Sequence, residues 1–283
     1  MKKSALTLLS LLFAFTTFSQ IGFKKKKEDI EKFKDTRLVV VLTTDSSYNA
    51  SIKHAVESYW TFSSGVEFID DTAMKAYNKP EFSYLFFSKS KGSKIRAKVG
   101  SCEEDFNGLL ITNGAKFKKK AALEDLVAGA YCSNAIDTFD WLPELTRAVQ
   151  MLNHYLNQAI ESPNDKGISK LAIAQAAPLD KNLLEKKIYV PIRGMKIKGK
   201  EGPEEIYGNE VEEMDIDEIY ESIVTRKDNL VFFYSKDENG CNKIITSTTG
   251  ELVYYSSAAI DDCQLSIKDL KELRTKKEKA AKE

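Results

Sequence analysis

The feature that most constrains the fold is a strand–helix–strand cadence packed into about 33 residues, from Arg37 to Ile69. Arg37 to Thr43 (RLVVVLT) is rich in β-branched residues and lacks polar alternation, the pattern of a strand covered on both faces. Asp45, Ser46 and Ser47 supply turn or N-cap chemistry directly after it. Ile52, Val56, Tyr59 and Trp60 then fall at helical spacing, and Val66 to Ile69 supplies a second short strand. That order in that length is a βαβ unit, whose right-handed crossover makes its strands parallel. The chain is therefore expected to be α/β (α+β), with mixed sheets and flanking helices.

The remaining elements are read in the same way. Phe82 to Ser88 (FSYLFFS) predicts a strand, residues 89–94 with Gly92 a hairpin turn, and residues 95–99 its partner strand. Leu109 to Thr112 predicts another strand, closed by Asn113-Gly114, and residues 120–136 read as a helix. The clearest helix runs over residues 143–160, with Pro143 in its first turn and a stripe of Leu145, Val149, Leu152, Leu156 and Ile160. In the second half, residues 168–186 read as helical and residues 188–190 as a strand ended by Pro191. Residues 194–207 are polar and turn-rich, with a strand candidate at 195–197. Asp215 to Val224 (DIDEIYESIV) is an amphipathic helix with early acids that suit its dipole. Residues 230–235, 243–248 and 252–256 make a three-stranded meander turning at Asn239-Gly240 and Thr249-Gly250. The expected organisation is a leader (1–19), a charged lead-in (20–36), a first α/β domain (37–161), a linker (162–168), a second α/β domain with the meander (169–272) and a charged tail (273–283).

The halves echo each other. Val66-Glu67 with Asp70, a helix and YLFFSKSKGSKI from Tyr84 match Val211-Glu212 with Asp215, a helix and VFFYSKDENGCNKI from Val231. The offsets are 145 residues at the Val-Glu pair and 147 at the strand, with Arg37-Leu38-Val39 and Lys187-Ile188-Tyr189 as first strands 150 apart. A duplicated α/β unit forming two similar lobes accounts for this, against the alternative that apolar strand, polar turn and lysine recur by chance in hairpins. Two lobes would leave a cleft between them, a common place for a ligand.

The first nineteen residues fit a secretory signal peptide: Lys2 and Lys3, an apolar stretch from Leu6 to Phe18, and small Thr17 and Ser19 before Gln20. The apolar stretch is shorter than the roughly 20 residues a membrane span requires. A mature chain starting at Gln20 in the periplasm or outside the cell is expected, without a transmembrane anchor. Forty basic and 42 acidic residues remain after such cleavage, a balance that gives nucleic acid no electrostatic footprint. Apolar content of 42%, with 15 Phe and 12 Tyr, is enough for a packed core. Cys102, Cys132, Cys241 and Cys263 invite disulfides in an exported chain, local pairing giving Cys102–Cys132 and Cys241–Cys263. Three connectivities are open, and buried thiols are the alternative.

No motif for catalysis stands out. The chain has no G-x-S-x-G elbow, H-E-x-x-H, P-loop, dinucleotide fingerprint or C-x-x-C, and its two histidines, His54 and His154, fall in predicted helices. No cofactor and no metal site are expected. Acids cluster at Asp70-Asp71, Glu103-Glu104-Asp105, Asp215 to Glu218 and Asp261-Asp262, the residue type a carboxylate hydrolase needs in pairs. Tyr59, Trp60 and Trp141 are the candidate ligand-stacking aromatics, with core packing as their other role. The weight falls on a non-catalytic binding module of the cell envelope, with an envelope protein or surface polymer as partner. An envelope hydrolase and a two-lobed small-ligand binder are the alternatives.

Overall fold

The computed structural model describes residues 27–89, 107–114, 126–132, 140–161, 184–197, 201–226, 230–237, 241–258 and 263–281. The first lobe comprises α1 (Lys27–Lys34), β1 (Arg37–Leu42), α2 (Ser46–Tyr59), β2 (Gly65–Asp70), a 3-10 helix (Asp71–Tyr77), β3 (Phe82–Lys89), β4 (Asn107–Asn113), β5 (Leu126–Tyr131) and α3 (Trp141–Glu161). Its sheet has the order β2-β1-β3-β4-β5, with β1 parallel to β2 and β3, and β3, β4 and β5 antiparallel. The apolar run of β1 is buried on both faces. Leu38 and Val40 join α2 and α3 in the main core, while Val39 and Val41 join Ile69 and Tyr84 on the side of the 3-10 helix. Asp45 starts α2 as expected, its carboxylate accepting from the amides of Ser47 and Tyr48.

The second lobe comprises β6 (Ile188–Pro191), β7 (Met195–Lys196), α4 (Pro203–Tyr207), β8 (Val211–Met214), α5 (Ile216–Thr225), β9 (Val231–Asp237), β10 (Cys241–Ser247), β11 (Leu252–Ala258), β12 (Leu265–Ser266) and α6 (Ile267–Ala280). Its main sheet has the order β8-β6-β9-β10-β11, with β6 parallel to β8 and β9 and the rest antiparallel. This is the topology of the first sheet, strand for strand.

The correspondence extends to register. Leu38 lies opposite Val66 and Val39 opposite Glu67; Ile188 lies opposite Val211 and Tyr189 opposite Glu212. Arg37 pairs with Glu67, and Lys187 with Glu212, at the same corner of each sheet. The β4–β5 ladder slips between Ile111 and Thr112, and the β10–β11 ladder slips between Ile245 and Thr246. The offsets of 145 and 150 residues therefore hold, but β3 and β9 correspond at 148, not 147. Tyr84 and Phe232 both face the 3-10 helix or α5, and Leu85 and Phe233 both face the main core. A shift of one residue exchanges the two faces of a strand, so burial settles the alignment that letter matching misplaced.

Two expectations change. Within the predicted helix 120–136, Leu126–Tyr131 is a strand, because LVAGAY completes an antiparallel edge on β4. The turn-rich stretch 194–207 contains helix α4, started by Gly202 and Pro203 and stopped by Gly208 at φ 83°. Between β2 and β3, Asp71–Tyr77 forms the 3-10 helix. The charged lead-in holds α1, whose Ile30 and Phe33 are buried in the first core, and α6 carries helix through residue 280, with Leu270 and Leu273 buried. Residues 90–100, the predicted return strand of the hairpin among them, and 162–183 lie outside the described residues.

Candidate functional site

Helix α3 lies between the lobes. Its stripe of Leu145, Val149, Leu152 and Leu156 seals the first core as predicted. Its polar face, which on a surface helix would meet water, is also buried: Glu144, Thr146, Arg147 and Gln150 are each 2% exposed or less. The second lobe covers it. The Gln150 Nε2 donates to Ile223 O near the end of α5 at 3.2 Å, and the Tyr59 hydroxyl donates to Val224 O. These side chains of the first lobe take up carbonyls that the last turn of α5 leaves without helical partners. Arg226, which ends α5 at φ 52°, lays its guanidinium 4.4 Å from the centre of the Tyr59 ring. The β10–β11 turn presses on the same helix, a Cβ on Gly250 falling 2.4 Å from the Gln150 carbonyl carbon.

A buried ion pair lies in this seam. Arg147 Nη2 meets Glu144 Oε2 at 3.0 Å, with side-chain exposures of 1% and 2%. Burial, with help from Glu144, pushes the Tyr220 hydroxyl up to about 12, against the opposing pull of Arg147. Among the described residues, the buried polar atoms without a hydrogen-bond partner include Thr146 Oγ1, Gln150 Oε1 and His154 Nε2 on α3, and Thr248 Oγ1 beside the Gly250 turn. The three on α3 recur at i, i+4 and i+8 and so share one broad face. Each such group costs about 1–3 kcal/mol, so together they rival much of the ~5–15 kcal/mol by which a domain is stable. Burial also holds the His154 imidazole below its ordinary pKa, with Glu161 pulling the other way.

The aromatic candidates are placed as follows. Trp60 is 7% exposed, packs edge-on against Phe33 and Phe62, and donates its indole N–H to Ser63. Trp141 is half-buried against Tyr48 and Phe87 and donates to Asp45 Oδ2, tying the start of α3 to the start of α2. Tyr59 belongs to the seam. The structure thus brings Tyr59 to the lobe contact and puts both tryptophans to work in packing.

A second charged cluster lies in the core of the second lobe. Lys243 Nζ meets Asp269 Oδ2 at 2.9 Å, and Asp269 also accepts from the Ser266 amide and hydroxyl and from Tyr254. Sequence reasoning missed this pair and the seam alike: a lysine in a strand and polar residues on a helix read as solvent-facing. Of the acidic clusters, Asp70 and Asp71 are exposed at the end of β2, and Asp215 caps α5. Residues 103–105 and 261–262 lie outside the described residues. An open cavity of about 620 Å³ lies between α4 and the end of α6, lined by Glu204, Glu205, Arg274, Lys277 and neighbours; Lys277 there bonds Asn209. No group of three or more metal-ligating side chains occurs among the described residues.

Cys132 is buried at the end of β5, and Cys263 is half-buried before β12. The side chains of Cys102 and Cys241 lie outside those described. Compared with known proteins, the chain matches no family model, no curated protein and no solved structure.

Proposed function

We propose that the chain is an exported, non-catalytic binding module of the cell envelope, docking an envelope protein or a surface polymer. The observation that carries this reading is the use of its buried charge. Arg147–Glu144 and Lys243–Asp269 are ion pairs buried inside the fold. A catalytic acid or base keeps one side toward substrate and a pKa matched to its task. Export rests on the layout of residues 1–20, and no helix among the described residues is long and apolar enough to cross a membrane. Cysteine pairing belongs to the same proposal. Cys241 and Cys263 stand 22 residues apart in the second lobe, where a local bridge would tie β10 to the start of β12.

A second reading, a two-lobed binder of a small ligand, is favoured by the repeated topology and by the polar seam between the lobes. Crosslinking and affinity capture of the tagged mature protein from its native envelope, followed by mass spectrometry, tests the first reading. A saturable, stoichiometric protein or polymer partner is expected. Recovery of the protein alone, from a sample in which it is exported and folded, overturns it.

A further inference from the structure

We infer that the seam over α3 is an opening interface: the lobes part along it and close again while each stays folded. The two main cores are separate clusters, one holding α2, α3 and the first sheet, the other α6 and the second sheet. Leu252 of β11 reaches across to pack on the first core. The polar contacts described across the seam are Gln150 to Ile223 O, Tyr59 to Val224 O, and Arg226 over Tyr59. The unpartnered atoms of Thr146, Gln150 and His154 lie along α3, and that of Thr248 lies beside the Gly250 turn that presses on it. Closure buries these groups without partners, and opening returns them to water, so the closed state is held less firmly than either core. A permanently sealed contact would be expected to satisfy them or to replace them with apolar groups. The inference does not depend on what the protein binds.

Hydrogen exchange of the full mature protein, read by mass spectrometry, tests it. Amides of α5 and of residues 247–250 are expected to exchange at least ~10-fold faster than those of the central strands β1 and β9. The hydroxyl-deleting Thr146→Val and Thr248→Val changes are isosteric and remove groups that favour the open state. Combined, they are expected to slow exchange in the seam about tenfold and leave β1 unchanged. Tyr59→Phe deletes a closing hydrogen bond and is expected to speed exchange in the seam. Seam amides that exchange at the rate of β1 in the wild type overturn the inference. So does a folded valine double variant whose seam exchanges as fast as the wild type or faster. If that variant fails to fold, Tyr59→Phe decides: unchanged exchange in the seam overturns the inference, and selective acceleration supports it.

Discussion

Asp269 shows how a single buried carboxylate is held ionised. Burial by itself would raise its pKa, but hydrogen bonds from Ser266, Lys243 and Tyr254 outweigh that and leave it below the ordinary carboxylate value. A folded-state pKa below the unfolded one contributes stability at pH values above the unfolded pKa. That contribution is lost as pH falls through the folded pKa. Asp269→Asn strands the Lys243 ammonium in the core and is expected to cost about 3–5 kcal/mol near neutral pH. The gap to wild type should narrow as pH falls below the ordinary carboxylate value, where the unfolded chain begins to take up the proton, and close once pH passes the lowered pKa of Asp269. Lys243→Met should cost less, because Asp269 keeps its Ser266 and Tyr254 donors and methionine refills the apolar stem. The bulge alignment places Leu109 at the equivalent position of the first lobe, where it is fully buried. Urea unfolding midpoints from pH 3 to 7 check all three expectations.

Among elements, the matched caps of the two lobes separate form from energy. Asp70 and Asp215 stand at equivalent strand ends, each beginning a helix. Asp215 accepts a hydrogen bond from the Asp217 amide, whereas Asp70 makes no capping bond with its side chain. Asp215→Ala is expected to cost about 1 kcal/mol, the usual worth of a cap. Asp70→Ala should stay within about 0.5 kcal/mol, as for an exposed residue that holds nothing. Denaturant melts of the two variants provide the comparison. The strand β5 explains why one element was misread. LVAGAY has alanines and a central glycine, and little local preference for a strand. Its conformation comes from antiparallel pairing with β4, a long-range partner that local periodicity does not register.

For the whole molecule, the contact between lobes is tighter at one turn than local backbone preference requires. Gly208 and Gly250 have nearly the same φ, 83° and 88°. A Cβ on Gly208 meets nothing within 4 Å, while one on Gly250 strikes the backbone of Gln150 and Met151 at 2.4–2.6 Å. Gly208→Ala is therefore expected to cost about 1 kcal/mol, the left-handed penalty for a residue with a Cβ. Gly250→Ala should cost at least about twice that, or lift the turn off α3, because backbone cannot rotate out of the way as a side chain can. Thermal unfolding reads the ranking, and equal losses would mean that the turn does not press on α3.

Residue order alone specifies the βαβ opening, the long helix α3 and the cap at Asp45, and it points to the match between the halves. Each is written in local chemistry: β-branched runs, helical spacing, and a short polar side chain just before a helix. Tertiary structure alone decided which strand face corresponds to which, that residues 126–131 form a strand, and that Arg147, Gln150 and Lys243 are interior. Polar residues on one side of an amphipathic helix look the same whether water or a second lobe covers them. What covers them depends on how the two lobes pack together, and local spacing carries no record of that packing.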